Sequence, residues 1–330
     1  MITLFFIILG LCFYGYVGYP LLLILLFPLF WVLERIRHWR HPATLKLSDH
    51  CKGVSILVAA YNEEDNIAKK IDSLLNQTFD DLPFEILVLN DGSSDGTADI
   101  VNAYEQPNIR LLDLPRGGKA AALNQGAQQA EYDILVFSDA DNRWEITTLE
   151  HLIRPFNNLR VGAVSGQLVI DQQHNSLGLG DRIYRLYEAM IRRCESAAGS
   201  AVSADGGIFA IRKSLFQPVP ADVTDDFFIS TNAIQHGFSL HFAKQAIAYD
   251  EGVDKIESQY RRRIRVTVRG MRSLMLRKSL MNPFQYGFYS IQLISHKLIR
   301  RFTPFLALLL LPINALIVNQ HWAYQIFFIL

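Results

Sequence analysis

Charge is what this sequence has little of. Asp, Glu, Lys and Arg make up 19% of its 330 residues, below the quarter usual for soluble domains. The 32 basic and 32 acidic residues cancel, so no whole-chain attraction for nucleic acid arises and no nucleic-acid partner is expected. Disorder needs low hydrophobicity and a large net charge, and half of these residues are hydrophobic, which excludes it as a global description. Cysteine is almost missing. Cys12, Cys51 and Cys194 are too few and too far apart for a disulfide framework or a zinc cluster.

The shortage of charge is local as well. Ile2–Leu33 holds no Asp, Glu, Lys or Arg, and about 20 apolar residues suffice to cross a bilayer as a helix. This run can do so with tilt, or with a kink at Pro20 or Pro28. A secretory signal would need a basic start and a shorter apolar core. A second charge-free run covers Phe302–Leu330, broken by Asn319, Gln320 and His321. Its first part, Phe302–Val318, is long enough to span. Trp322–Leu330 is too short and reads as the start of a further span cut off by the end of a truncated chain. Arg35, Arg37, Arg40 and Lys46 follow the first run, and Lys297, Arg300 and Arg301 precede the second. Basic flanks face the cytoplasm, which predicts a cytoplasmic middle held to the inner (plasma) membrane on both sides.

That middle alternates between short apolar runs and helical patterns. Val54–Tyr61, Phe84–Leu89, Ile109–Leu114 and Tyr132–Phe137 predict strands, and near-continuous apolar strands suit a parallel sheet covered on both faces. Between the first two, Asn62 is the expected N-cap of a helix over Asn62–Gln77, with Ile67, Ile71, Leu74 and Leu75 at helical spacing. Ala98–Tyr104 and Lys119–Ala130 predict two more helices. The alternation argues a doubly wound α/β domain. The boundaries drawn are a membrane helix at 1–33, an α/β domain at 50–250, amphipathic helices at 256–301 and a membrane segment at 302–330.

In open α/β sheets, ligands bind beyond the carboxyl ends of the strands. Polar residues collect at three such ends: Tyr61-Asn62-Glu63, Asn90-Asp91-Gly92 and Ser138-Asp139-Ala140-Asp141. One acidic turn would be an ordinary cap or loop; three on one edge suggest a site. Asp139 and Asp141, two apart on an extended chain, can face one point. Like charges held together call for a cation, and hard oxygen donors suit Mg²⁺ or Mn²⁺. Arg116-Gly117-Gly118-Lys119 opens a helix, and its N–H groups could approach phosphate. It is neither a full P-loop nor a GxGxxG fingerprint.

Taken in order, Ala59-Ala60-Tyr61-Asn62-Glu63, Asn90-Asp91-Gly92-Ser93-Ser94-Asp95-Gly96-Thr97, Gly118-Lys119 through Asn124, Asp139-Ala140-Asp141, Gly206 to Arg212 and Thr224-Asp225-Asp226 resemble the family 2 glycosyltransferases. The resemblance covers about 53–280 and implies an inverting enzyme with the GT-A nucleotide-sugar-binding fold, a Rossmann-like α/β domain between transmembrane helices. It also implies roles. Tyr61, Glu63 and Asp91 would hold the nucleoside, with Lys119 as a basic nucleotide contact. Asp139 would face the sugar or nucleotide and, with Asp141, a divalent metal. Asp226 would be the general base. Asp225 stands where the family has Glu.

Gln259–Lys278 carries eight Arg or Lys residues and no acid. Arg261, Arg265, Arg269 and Arg272 form one helical stripe, and Ile264, Val268, Met271 and Met275 another, as in a helix lying at lipid headgroups. Gln259-Tyr260-Arg261-Arg262-Arg263 stands at the family's Gln-x-x-Arg-Trp motif, which makes Gln259 and Arg262 candidate donor contacts. Arg263 replaces the tryptophan, so a processive polymerase is not implied. The expected function is transfer of a hexose-type sugar from a uridine-linked nucleotide sugar to a lipid or growing glycan, with membrane lipids as surroundings. Transfer to polyprenyl phosphate, nucleotidyl transfer and a non-catalytic nucleotide-binding subunit are the alternatives.

Overall fold

The computed structural model describes residues 1–40, 46–79, 82–170, 179–250, 256–321 and 324–325. The chain opens with α1 (Ile2–Phe13) and α2 (Tyr19–Arg40), joined by a π-helical turn at Tyr14–Gly18. The α/β part runs β1 (Val54–Ala60), α3 (Ile67–Leu75), β2 (Phe84–Asp91), α4 (Thr97–Asn102), β3 (Ile109–Leu114), α5 (Lys119–Gln129), β4 (Ile134–Asp139), β5 (Asn142–Trp144), α6 (Thr148–Ile153), β6 (Val161–Ile170), α7 (Leu179–Ala197), β7 (Ile208–Arg212), α8 (Asp225–Gln235), β8 (Ser239–Asp250) and α9 (Ile256–Leu276). Short α10 (Pro283–Tyr286) and α11 (Phe288–Leu293) lead into α12 (Arg300–Ile317). Two compact units result, Leu33–Arg277 and Met1–Val32 with Lys278–Leu330.

In the first unit, eight strands form one sheet in the order β3-β2-β1-β4-β7-β6-β8-β5. The strands β3, β2, β1 and β4 are parallel, as their apolar runs predict. Ile56, Leu57, Val58, Ile86, Leu87, Val88, Ile134 and Val136 are fully buried, because helices cover both faces. Ile67, Ile71 and Leu74 on α3 are fully buried too, and truncating such a residue to Ala costs about 2–5 kcal/mol. Beyond β4, where no strand direction was expected from the sequence, the sheet becomes mixed. β7 runs antiparallel to β4 and β6, β6 pairs parallel with β8, and β5 is antiparallel to β8. Apolar content marks a strand as buried but carries no information about its direction, so composition could not reveal the change.

The helix after β1 begins at Ile67 with Asn66 as its N-cap, which corrects the expectation for Asn62. Asn62 takes a left-handed conformation (φ 54°) instead. Its N–H donates to Ser93 Oγ at 2.9 Å, and its Oδ1 accepts from the Ser94 N–H at 2.9 Å. It ties the loop after β1 to the loop after β2, a use of αL for which Asn is well suited.

In the other unit, Phe5 and Ile8 of α1 pack with Leu310, Ile313 and Ile317 of α12. The Tyr14 hydroxyl lies 2.9 Å from Ser295 Oγ. The π turn precedes Pro20, whose ring supplies no N–H to continue regular α bonding. Ile2–Leu33 and Phe288–Gln320 are long and apolar enough to cross a membrane. The helix containing Phe302–Val318 thus starts earlier, after Gly287 (φ 56°), because nothing from Phe288 to Arg301 breaks it. The further span expected over Trp322–Leu330 lies outside the described residues, apart from Tyr324 and Gln325.

Candidate active site

The register of β2, β1 and β4 places their carboxyl ends side by side, with Ala59 opposite both Leu89 and Asp139. The three polar loops of the sequence therefore share one sheet edge. Asp91, the last residue of β2, is 3% exposed. Its Oδ1 accepts from the Gly117 N–H at 2.7 Å and the Gly118 N–H at 2.9 Å, and Arg116 ion-pairs with its Oδ2. Gly118 has φ 86°, which lets the chain turn into α5 with these N–H groups aimed at Asp91. The Arg116 guanidinium lies over the Tyr61 ring, 3.4 Å from its centre. Tyr61 is 43% exposed, so Tyr61 and Arg116 offer an open stacked surface to a planar group.

Glu63 is anchored beside this surface. Its N–H donates to Thr97 Oγ1 at 2.9 Å, and its Oε2 accepts from Asn66 Nδ2 at 2.8 Å. Burial lifts its pKa above the usual carboxylate range; the Asn66 hydrogen bond opposes the rise, and the charges of Asp139 and Asp95 add to it.

Lys119, at the start of α5, joins residues distant in sequence. Its Nζ donates to Asp139 Oδ1 at 2.7 Å and ion-pairs with Asp225 Oδ2 at 2.9 Å. Burial alone would lower its pKa, but the two carboxylates outweigh this and raise it. The Lys119 side chain is 38% exposed, so solvent screens part of that attraction. Burial pushes the Asp225 carboxyl up, and the opposing Lys119 ammonium prevails and holds it low.

Asp225 and Asp226 form the first turn of α8, where the helix dipole favours acids. Successive helical residues point about 100° apart, and the first of the pair, Asp225, is the one seen on Lys119. Asp226 faces the loop before β7, where a methyl on Gly206 would sit 3.7 Å from its Cγ. Thr224, which caps α8, donates its N–H to Ser273 Oγ of α9 at 2.9 Å. Arg277 donates to the Phe228 carbonyl at 3.0 Å, and its guanidinium lies 3.9 Å from the Phe228 ring centre. Arg192 of α7 holds Asp205, just before Gly206, at 2.5 Å.

Asp141 follows in a turn, not on extended chain, and is exposed. The side-by-side geometry inferred from strand alternation therefore does not apply to it. The turn rests on Lys70 of α3, which is fully buried. Burial drives the Lys70 pKa well down, against the opposing pull of Asp139 and Asp141. Lys70 is not among the expected site residues, although its spacing marks it: with Ile67, Ile71 and Leu74 it occupies the buried stripe of its helix. Ser273, Arg277 and Arg192 carry no comparable signal.

Gln259 and Arg262 lie on the backbone of α9, and their side chains fall outside the described residues. Ile264, Val268 and Met275 on that helix are 47–64% exposed, so the α/β unit leaves this apolar stripe uncovered. Among the described residues no three His, Cys, Asp or Glu side chains cluster as a metal site. Asp139 and Asp141 can supply two hard oxygen donors, which fits an ion completing its shell with phosphate and water.

Residues 55–219, half of the chain, match the family described as Glycosyl transferase family 2. The poly-beta-1,6-N-acetyl-D-glucosamine synthase of Staphylococcus epidermidis is 32% identical over 204 residues, 60% of this chain and 48% of that protein. Its Staphylococcus aureus (strain MSSA476) counterpart is 30% identical over 226 residues, 66% and 54% of the two chains. The chain thus spans about half the length of these curated relatives. In structure it is similar to a mannosyltransferase from Pyrobaculum calidifontis, solved with GDP-Man and Mn2+ (TM-score 0.63, 22% identity, 98% and 94% of the two chains). It also resembles S. aureus TarS 1-349, solved with UDP (TM-score 0.54, 19% identity, 76% and 72%). These likenesses in structure identify the GT-A fold. The chain belongs to glycosyl transferase family 2.

Proposed function

We propose that this protein is a membrane-bound inverting glycosyltransferase that moves a hexose-type sugar from a UDP-sugar to a hydroxyl of a lipid or growing glycan. The observation that carries the reading is the contact of Lys119 with both Asp139 and Asp225. It brings the donor-side aspartate within one side chain of the acidic turn of α8. The relatives are named for a polymer of N-acetyl-D-glucosamine, which makes UDP-N-acetylglucosamine the donor to test first. The apolar helices and their basic flanks support an inner-membrane location with the α/β unit in the cytoplasm.

In this reading the Tyr61–Arg116 surface takes the base of the donor, with Glu63 at its side. Lys119 meets the diphosphate, and Gln259 and Arg262 close the acceptor end. Asp139 and Asp141 would hold Mn²⁺ or Mg²⁺, which supplies positive charge to the departing nucleoside diphosphate. Asp226 accepts the proton of the acceptor hydroxyl as the new bond forms. Attack opposite the leaving group inverts the anomeric carbon in one displacement, and no nucleophilic role falls to Cys194. Membranes carrying the full chain, given a panel of nucleotide sugars, should release nucleoside diphosphate with one donor and label a lipid or glycan. Pyrophosphate release from nucleoside triphosphates would identify a nucleotidyltransferase instead. No turnover with any donor would leave only a nucleotide-binding subunit.

A further inference from the structure

Lys70 has no place in the reaction above, and a lysine with no exposed surface is costly to bury without a specific use. Its Nζ donates to Ser138 Oγ at 2.6 Å and to Asn142 Oδ1 at 2.8 Å. Those two residues bracket the Asp139-Ala140-Asp141 turn. Beneath them Nζ lies 4.7 Å from the centre of the Trp144 ring. The Trp144 indole N–H also donates to Ser138 Oγ, at 3.1 Å, and Asn142 Nδ2 donates to the Gly207 carbonyl at 3.0 Å. One buried amine therefore clamps both ends of the segment that carries Asp139, at the end of β4, and the exposed Asp141. The same Asn142 links that turn to the glycine loop facing Asp226.

We propose that Lys70 is a positioning residue for the divalent cation, fixing both ends of the turn that carries Asp139 and Asp141. The proposal rests on the assignment of those aspartates as metal donors. A turn of three residues with one exposed carboxylate has many conformations, and each must be lost when an ion binds. A clamp made on folding meets that cost beforehand. Residues supporting metal ligands from behind change metal affinity by about 10- to 100-fold when removed.

Lys70→Met suits the test, since it fills similar volume against Trp144. Its partners are not left bare: Ser138 keeps the Trp144 N–H, and Asn142 Oδ1 keeps the Ser138 hydroxyl at 3.2 Å. The full chain in detergent would be titrated with Mn²⁺ in the presence of UDP, following free Mn²⁺ by electron paramagnetic resonance. UDP binding in chelator would be measured alongside. The expected result is Mn²⁺ affinity lowered about 10-fold or more, with metal-free UDP affinity and the unfolding midpoint nearly unchanged. Unchanged Mn²⁺ affinity overturns the proposal, as does tighter binding, which would mean that Lys70 acts only as a competing charge. Equal losses of Mn²⁺ and UDP affinity would mark a merely structural role and overturn it as well. If Lys70→Met does not fold, Asn142→Ala, which cuts one end of the clamp, is read by the same criteria. Wild-type protein that binds no Mn²⁺, or an Asp141→Asn variant that binds it fully, would instead remove the metal assignment itself.

Discussion

Both carboxylate oxygens of Asp91 lie within hydrogen-bond distance of the Gly118 N–H, at 2.9 and 3.0 Å. With Gly117 and Arg116 also engaged, this carboxylate is committed to shaping the turn before α5. A residue expected only to touch a nucleoside thus also builds the surface around it. Asp91→Ala should weaken donor binding and also destabilise the protein by about 1–3 kcal/mol, the cost of leaving buried partners unpaired. Nucleotide titration and thermal unfolding check the two effects. Weaker binding at full stability would mean that the turn holds without Asp91.

Lys119 and Asp225 set a pH signature. The lowered pKa of Asp225 means that its contribution to stability is present above about 3.9 and is lost as pH falls through its folded value. The raised pKa of Lys119 means a contribution present below about 10.4 and lost as pH rises through its folded value. Between these limits the pair should add no pH dependence. In Lys119→Met the largely buried Asp225 loses its counterion and its pKa rises, so the variant should gain stability as pH falls from 7 towards 4. Unfolding midpoints across that range decide this, and a flat profile in the variant would refute the pairing.

Asp226→Asn should lower kcat by about 10²–10⁴-fold, typical for loss of a general base, while donor affinity stays nearly constant. Asp225→Asn should instead release Lys119 and change donor affinity. Reversed results would move the base to Asp225. If neither variant loses turnover, a phosphate acceptor, which needs no base, becomes the better reading.

Activity should disappear in excess chelator and return with Mn²⁺ or Mg²⁺. Asp141→Asn should abolish that recovery at little cost to folding, since exposed loop substitutions usually change stability by less than about 0.5 kcal/mol. Full turnover in chelator would count decisively against the metal.

The positions of β1 to β4 and α3 to α5 were legible because short apolar runs mark the strands and helical spacing marks α3, and both patterns are local. Helix ends were less so. Asn62 has the composition of a cap, but Ser93 and Ser94, distant in sequence, draw it into a loop-bridging role.

Residue order alone determined the apolar flanks, the strand–helix alternation and the ordered acidic motifs, since these depend on neighbours in the chain. Tertiary structure decided the rest. It reversed β7 against β4, placed Asp225 on Lys119 and brought Lys70 under the Asp139-Ala140-Asp141 turn. Each of these joins residues at least 68 positions apart. Such contacts form because the packed sheet and helices bring distant groups together, and buried polar groups must then find hydrogen-bond partners wherever the fold provides them.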